Sequence, residues 1–280
     1  MELDRLIAER AEQLTAAERR AADVVLSRPQ VVAFGTVAEL AATAGTSGAT
    51  VVRLAAKLGF DGFTALQAVV QRDLGRKLRP AAERIRQPSP TDVVGRTAAT
   101  ELDNVQATLD AVDRELFATA ADLLADTDRQ VLVLSGEASR GVAIQVVTEL
   151  TMLRDGVQML DGSEVGVLRS LALARRDDVV LVIDLRRYER WVLETANRAR
   201  QLGLHLLALT DSPLSPLSQL SDASFVVAAS GAGPFDSHVG TLALLNAMVA
   251  AVADRHRSGA TDRLDRLERA WSEWGALIDP

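Results

Sequence analysis

The chain has 280 residues, 48% hydrophobic and 25% charged, a composition that builds a packed core and is long enough for two domains. With no cysteine, it excludes a disulfide framework, a thiolate metal site and a cysteine nucleophile. The net charge of −7 is uneven: residues 1–79 hold 11 Lys+Arg against 9 Asp+Glu (net +2), and residues 80–280 hold 20 against 29 (net −9), so any contact with nucleic acid belongs to the front of the chain.

The charged start, Met1-Glu-Leu-Asp-Arg5, is followed by no signal-type apolar stretch, and no apolar run reaches membrane-spanning length. Cytoplasmic residence and no membrane partner are the expectation. Thr15-Ala-Ala-Glu18 reads as a capping box that opens a helix running to about Ser27, with Pro29 beyond its end. Thr36-Val-Ala-Glu39 is a second box, and its helix should end near Gly45. A third helix starts at Ser47 and closes on Leu58-Gly59, a glycine where a C-terminal cap belongs. Phe60, Phe63 and Leu66 begin a last helix that fades near Gly75. Residues 78–90, with Pro80, Pro88 and Pro90, read as a linker holding at most a short helical turn.

Beyond the linker, residues 92–112 form a long helix with Val94, Ala98, Leu102, Val105 and Leu109 as its apolar stripe. Apolar strand-like runs follow at 130–134, 156–160, 179–183, 204–209 and 224–228. Helical stretches at 140–153, 165–173 and 191–202 separate the first four. Strands and helices in this alternation imply right-handed βαβ units and a mostly parallel sheet covered on both faces. Residues 238–256 read as an apolar helix. The tail sets Leu264, Leu267, Trp271, Trp274 and Leu277 along one helical stripe. The domain expectation is therefore 1–78 all-α, 79–91 linker, 92–257 α/β and 258–280 a C-terminal amphipathic helix.

Residues 36–58 have the form of a helix-turn-helix. Its second helix must keep one apolar stripe for its neighbours and turn a small, polar or basic stripe to a major groove about 12 Å wide. Val51, Leu54, Ala55 and Leu58 supply the first stripe, and Thr46, Thr50, Arg53 and Lys57 the second. Residues 46–58 contain no acid. Gly45 suits the tight turn, and Ser47, Gly48 and Ala49 let the backbone of a helix N-terminus approach phosphates. With Thr36 at the start of the first helix, the expected DNA contacts are Thr36, Thr46, Ser47, Gly48, Thr50, Arg53 and Lys57. An ordinary amphipathic helix pair with solvated cations has the same spacing.

Residues 15–78 resemble the N-terminal domain of RpiR/MurR-type bacterial transcriptional regulators. The resemblance is carried by Thr36-Val-Ala-Glu-Leu-Ala, Thr46-Ser-Gly-Ala-Thr-Val-Val-Arg53-Leu and above all Lys57-Leu-Gly-Phe-Asp-Gly-Phe63. Leu54 stands where that family commonly has phenylalanine. Residues 92–257 resemble the sugar isomerase (SIS) domain that follows in the same family. The resemblance implies a five-stranded parallel sheet flanked by helices, binding phosphorylated sugars at the carboxyl ends of its strands, where open α/β sheets hold ligands generally. Three segments carry it: Ser135-Gly-Glu-Ala-Ser139, Asp184-Leu-Arg-Arg-Tyr188 and Thr210-Asp-Ser-Pro-Leu-Ser-Pro216.

The departures are informative. Ser135 and Glu137 replace glycines of the usual first loop, and only Ser139 is retained. The usual Ser-x-Ser-Gly-x-Thr phosphate cradle is replaced by Asp184, Arg186, Arg187 and Glu189. Paired arginines can still hold a carboxylate or phosphate bidentately. They can equally be a solvated pair bridging Asp184 or Glu189, and Glu137 can either reject phosphate or bond a sugar hydroxyl. The expected ligand set is Ser135, Glu137, Ser139, Asp184, Arg186, Arg187, Thr210, Ser212 and Ser215.

His205, His238 and His256 are too scattered to suggest a metal, and no catalytic triad or Walker-type loop is legible, so neither a metal nor a cofactor is expected. Glu137, Asp184 and Glu149 are the candidates for an isomerase acid/base, without a supporting spacing. The resulting expectation is a regulator, not an enzyme, that binds palindromic double-stranded operator DNA as a homodimer or homotetramer and answers to a sugar phosphate or sugar acid. A sugar-phosphate isomerase with an appended helical domain is the alternative. The 92–112 helix and the 264–277 stripe are the expected subunit contacts.

Overall fold

The computed structural model describes residues 6–7, 10, 13–78, 81–86, 92–213 and 215–278. The linker residues 79–80 and 87–91 lie outside them. The chain divides into two compact units, residues 1–83 and 84–280.

In the first unit, α1 (Ala16–Ser27), α2 (Pro29–Phe34), α3 (Val37–Thr43), α4 (Gly48–Lys57) and α5 (Phe63–Leu78) follow in order; a single turn, α6 (Ala81–Arg84), spans the boundary, and its Arg84 belongs to the second unit. Both capping boxes form. Thr15 N–H donates to Glu18 Oε2 at 2.8 Å and Thr36 N–H to Glu39 Oε2 at 2.6 Å, while each threonine oxygen accepts from the glutamate N–H. Reciprocal bonding of this kind satisfies donors that a helix start otherwise leaves open. Pro29 does not merely lie past the end of α1; it is the first residue of α2, where its missing N–H costs nothing. Leu40, Val51, Leu54, Ala55, Leu58 and Leu66 meet Ala21, Val25 and Val32 in one buried core.

The second unit opens with α7 (Val93–Asp110) and α8 (Arg114–Ala125). The alternating run then follows: β1 (Val131–Ser135), α9 (Arg140–Leu153), β2 (Val157–Met159), α10 (Glu164–Leu173), β3 (Val179–Ile183), α11 (Arg190–Gln201), β4 (His205–Thr210), α12 (Pro216–Leu220) and β5 (Ala223–Val226). Two helices close it, α13 (Val239–Arg255) and α14 (Arg257–Trp274). The sheet is parallel throughout, in the order β2-β1-β3-β4-β5, with Val131 opposite both Val157 and Val179 and Val179 opposite His205. Alternate residues of β1 feed two cores: Val131 and Val133 face Leu150, Leu244 and Met248, while Leu132 and Leu134 face Leu171, Val192 and Ala196. This double cover explains why the strands are apolar along their whole length.

α8 was not foreseen, although Asp113 caps it by accepting from the N–H groups of Glu115 and Leu116. Its C-terminal carbonyl at Leu124 accepts from Arg154, a fully buried arginine that also donates to the carbonyls of Arg129 and Asp155. Along α7, Val94 and Leu102 are 81% and 72% exposed and Val105 and Leu109 are half-buried, whereas the polar Asn104 and Thr108 are buried. The backbone just past β5 decides this. Its open groups need partners, and Asn104 bonds both the N–H and the carbonyl of Ser230 while Thr108 accepts from Ala228 N–H at 2.9 Å. Gly240 lets α13 approach the same place, since a Cβ there would stand 2.5 Å from Thr108 Oγ1. In the tail, Leu267 and Trp271 are half-buried, but Leu264 and Trp274 are exposed, and Leu277 lies past the left-handed Gly275 that ends α14.

Candidate functional site

The α3–α4 pair is joined through Gly45 at φ +57°. Arg20 of α1 pins that turn, donating to the carbonyls of Ala44 and Gly45 at 3.2 and 3.1 Å. Ser47 caps α4 by accepting from Thr50 N–H at 3.3 Å. Gly48 sits where a Cβ would come within 3.2 Å of Val37, so the start of α4 lies close against α3. Thr36 is exposed and committed to its capping box, and Thr46 is half-buried in the turn.

The outward face of α4 is not the one expected. Thr50 is buried, 5% exposed, with its hydroxyl bonded to Ser47 Oγ and Arg53. Lys57 bends back to Glu18, Nζ to Oε2 at 2.7 Å, and to the Gln13 carbonyl at 2.9 Å. Glu18 itself is 2% exposed. The hydrogen bond from Lys57, aided by that from Thr15, holds its carboxyl down to about 2 against the opposing effect of burial. Arg53 stays out, 61% exposed, with Nε 3.9 Å from Glu18. Its companions on the exposed side are Ala49, Val52 and Ala56. At 100° per residue those four fall on one arc opposite Val51, Leu54 and Leu58. Threonine and lysine at 50 and 57 lie on the flank, where hydrogen-bond partners in neighbouring elements capture them.

In the second unit, the β1–β3 boundary is where the strand order reverses, and the carboxyl ends of these strands carry most of the expected ligand residues. Some of them fall in two places that share Ser135, and the rest lie apart. A cavity of about 430 Å³ lies over β1 and β2 between α10 and α11; of the expected set only Ser135 and Glu137 line it. Its other polar walls, among them Arg140, Asp161, Glu164, Trp191, Glu194 and Arg198, were missed, because they come from helices and the loop after β2, which only the fold brings together. Arg140 pairs with Asp161 at 2.9 Å and Arg198 with Glu164 at 3.6 Å. Beside the cavity, Glu189 accepts from two of its lining residues, Glu137 N–H at 2.5 Å and Trp191 Nε1 at 2.6 Å.

The second place is a buried polar cluster at the N-termini of α9 and α13. The hydroxyls of Ser135, Ser139 and Thr241 and Nδ1 of His238 are buried there without a hydrogen-bond partner among the described residues. His238 is bonded to the Ala138 backbone, and burial pushes its ring below the usual histidine range. Arg186 is not bridged to Asp184 or Glu189. It forms a two-pronged pair with Asp236, which also accepts from Arg84 at 2.7 Å. Although burial works the other way, these two arginines hold the Asp236 carboxyl below its ordinary value. Two guanidinium groups thus share one carboxylate.

The remaining expected residues are dispersed. Asp184 is buried behind Gly136 and accepts from Glu189 N–H at 2.9 Å. Burial, with the carboxylates of Glu189 and Asp211 nearby, pushes it up to about 6. Arg187 is exposed in the left-handed region at φ +67°. Thr210 is fully buried at the end of β4, and Ser212 is half-buried in the loop beyond. Ser215 caps α12 by accepting from Ser218 N–H at 3.0 Å, a structural duty. No group of three histidine or acidic residues suited to a metal ion occurs among the described residues.

Residues 1–77 match the model of a helix-turn-helix domain of the rpiR family, and residues 125–251 match that of the SIS domain. The HTH-type transcriptional regulator YbbH of Bacillus subtilis is 25% identical over 92% of this chain and 93% of its own. The regulator HexR of Pseudomonas aeruginosa is 28% identical over 76% of this chain and 75% of its own. Among solved structures, the sugar isomerase domain of an RpiR transcription factor from Sphaerobacter thermophilus superposes with a TM-score of 0.57 at 28% identity, covering 62% of this chain and 97% of that one. The Vibrio vulnificus NanR protein complexed with ManNAc-6P superposes with a TM-score of 0.60 at 22% identity over 99% of both chains.

Proposed function

The chain belongs to the rpiR family of helix-turn-helix proteins that carry a SIS domain, and is a transcriptional regulator; from that premise we propose that its SIS domain senses a small anionic sugar derivative, a sugar phosphate or sugar acid, and alters operator binding. The carrying observation is the buried cluster at the N-termini of α9 and α13. The hydroxyls of Ser135, Ser139 and Thr241 are buried there without a partner among the described residues, and in the same unit Arg84 and Arg186 share the Asp236 carboxylate. Buried polar atoms without partners are costly, and an anionic ligand at two helix N-termini would satisfy them. NanR, of the same fold, is known in complex with ManNAc-6P, which supports a sugar derivative as the class. Linkage then requires that an effector favouring one state of the protein shift operator affinity, and the operator shift effector affinity, by the same factor.

A thermal-shift panel of sugar phosphates and sugar acids tests the reading. A ligand at a hundred times its Kd stabilises by about 2.7 kcal/mol. The Ser139→Ala variant is expected to lose that shift while keeping or slightly raising the stability of the free protein, because its hydroxyl has no partner to lose. An undiminished shift in Ser139→Ala would take this residue out of the site.

We further propose a homodimer or homotetramer on palindromic DNA, supported by the exposed Val94 and Leu102 of α7. Leu102→Asp is expected to lower the mass measured by light scattering and to weaken binding to a two-half-site duplex by about tenfold or more. An unchanged mass would remove α7 from the interface. On this reading the protein is not an enzyme. Asp184, at about 6, is the feature that favours an isomerase, and turnover of aldose or ketose phosphates that disappears in Asp184→Asn would establish that alternative.

A further inference from the structure

The face that α4 turns outward is chemically unusual for a helix that reads DNA. Of its four exposed residues, Ala49, Val52, Arg53 and Ala56, three carry no hydrogen-bonding group, and Val52 is 45% exposed. The two side chains that the spacing assigned to polar contacts are withdrawn: Thr50 is buried and Lys57 is held by Glu18 and the Gln13 carbonyl. Val51, Leu54 and Leu58 are buried on the opposite side, so the helix cannot turn to present another face without opening the core.

A hydrocarbon side chain can discriminate base pairs only by apolar contact. In the major groove the C5-methyl of thymine is the apolar feature on a base edge. We propose that Val52, flanked by Ala49 and Ala56, reads thymine methyl groups, and that Arg53 makes the charged base contact beside them, so that each operator half-site sets thymines around one guanine. The proposal rests on the reading of this unit as a duplex binder. Seven residues separate Ala49 from Ala56, a rise of about 10 Å along the helix, or roughly three base-pair steps. Valine at the middle of that span reaches furthest, and the alanines on either side let the helix settle deeply enough for it to touch.

Exposed aliphatic residues are common on protein surfaces and by themselves mean little. Here the neighbouring surface makes the difference. Residues 46–58 carry no acid, Arg53 is the exposed cation at the centre, and the small residues cluster on the single arc that the fold leaves free.

The test uses the full chain. Operators are enriched from a random duplex library. Each thymine of the enriched half-site is then replaced in turn by deoxyuridine, which removes the methyl and nothing else. At contacted positions the affinity is expected to fall about fourfold per methyl. Val52→Ala should weaken the thymine duplex by a similar factor and lose the sensitivity to deoxyuridine at one position, with an unchanged melting temperature and an unchanged dependence on salt. Val52→Ser keeps the exposed site small and polar and should behave likewise. Tight, salt-dependent binding that tolerates deoxyuridine at every position would overturn the methyl-reading proposal while leaving the duplex binder intact. Failure to enrich any duplex, or binding indifferent to salt, would overturn both.

Discussion

Replacing Glu18 by alanine is expected to destabilise the helix-turn-helix unit by about 2–3 kcal/mol, the largest effect foreseen for any single exposed-to-buried contact in that unit. Two losses add. The reciprocal cap between Thr15 and Glu18 disappears, which costs about 1 kcal/mol. Lys57 also loses the carboxylate to which its ammonium is bonded at 2.7 Å. Breaking a fully buried pair costs about 3–5 kcal/mol, but Lys57 is 36% exposed and can rehydrate, so roughly 1–2 kcal/mol is the appropriate share. For a unit of this size the sum corresponds to a melting transition about 10 °C lower or more, read by circular dichroism on the full chain. Glu18→Gln keeps a capping oxygen and should lose about half as much. A variant as stable as the parent would mean that the pair contributes nothing.

The same group predicts a pH dependence. The Glu18 carboxyl ionises at about 2 in the folded chain, against an ordinary value of 4.5, so the folded state favours its charged form. Its contribution is therefore fully present above about pH 4.5 and is lost as the pH falls toward 2. The difference in stability between the parent and Glu18→Gln should narrow across that window. A difference that stays constant down to pH 2 contradicts the assignment.

The second large effect concerns DNA. Arg53→Ala is expected to weaken operator binding by about 10–100-fold while leaving the fold unchanged, since the side chain is 61% exposed and its two partners keep others, the Thr50 hydroxyl bonded to Ser47 and the Glu18 carboxylate to Lys57. How the loss is distributed identifies the contact. If Arg53 binds a guanine edge, specificity relaxes at one base pair; if it binds a phosphate, all sequences weaken alike and the salt slope falls by about one. Unchanged affinity in a folded variant would remove Arg53 from the interface. Lys57→Ala supplies the contrast. It should act chiefly on stability, because its ammonium is already bonded to Glu18.

Much of the architecture was legible because its causes are local. Thr15 with Glu18 and Thr36 with Glu39 mark helix starts through bonds that span three residues, and Gly45 and Gly59 mark helix ends by a backbone conformation that suits glycine. The strands at 131–135 and 179–183 announced themselves by unbroken apolar runs, and the loops after them placed Ser135 and Ser139 at the head of α9. α8 was overlooked even though Asp113 carried a capping signal. Its apolar positions, Leu116, Phe117, Ala120, Ala121 and Leu124, also fall on one helical stripe, so both signals were present.

The candidate sites were less legible. Arg186 was recognised as a cation near the strand ends, yet its partner is Asp236, fifty residues away in a loop without regular structure. The cavity over β1 and β2 draws Arg140 from α9, Asp161 from the loop after β2, and Trp191 and Arg198 from α11, and nothing in their spacing marks the three segments as neighbours.

The helix-turn-helix shows where the division falls. That residues 36–58 fold as two capped helices around a glycine turn, with Val51, Leu54 and Leu58 inward, follows from local residue order, because capping and periodicity act over one or two turns. Which of the remaining residues face out is set by packing between elements distant in the chain. Glu18, 39 positions before Lys57, is buried next to α4 and draws the lysine away from solvent, and the hydroxyls of Ser47 and Thr50 satisfy each other at the helix start. A flanking side chain goes where a partner waits for it, and that partner is set by packing between elements rather than by the helix that bears it. Ala49, Val52, Arg53 and Ala56 are left as the surface offered to the duplex.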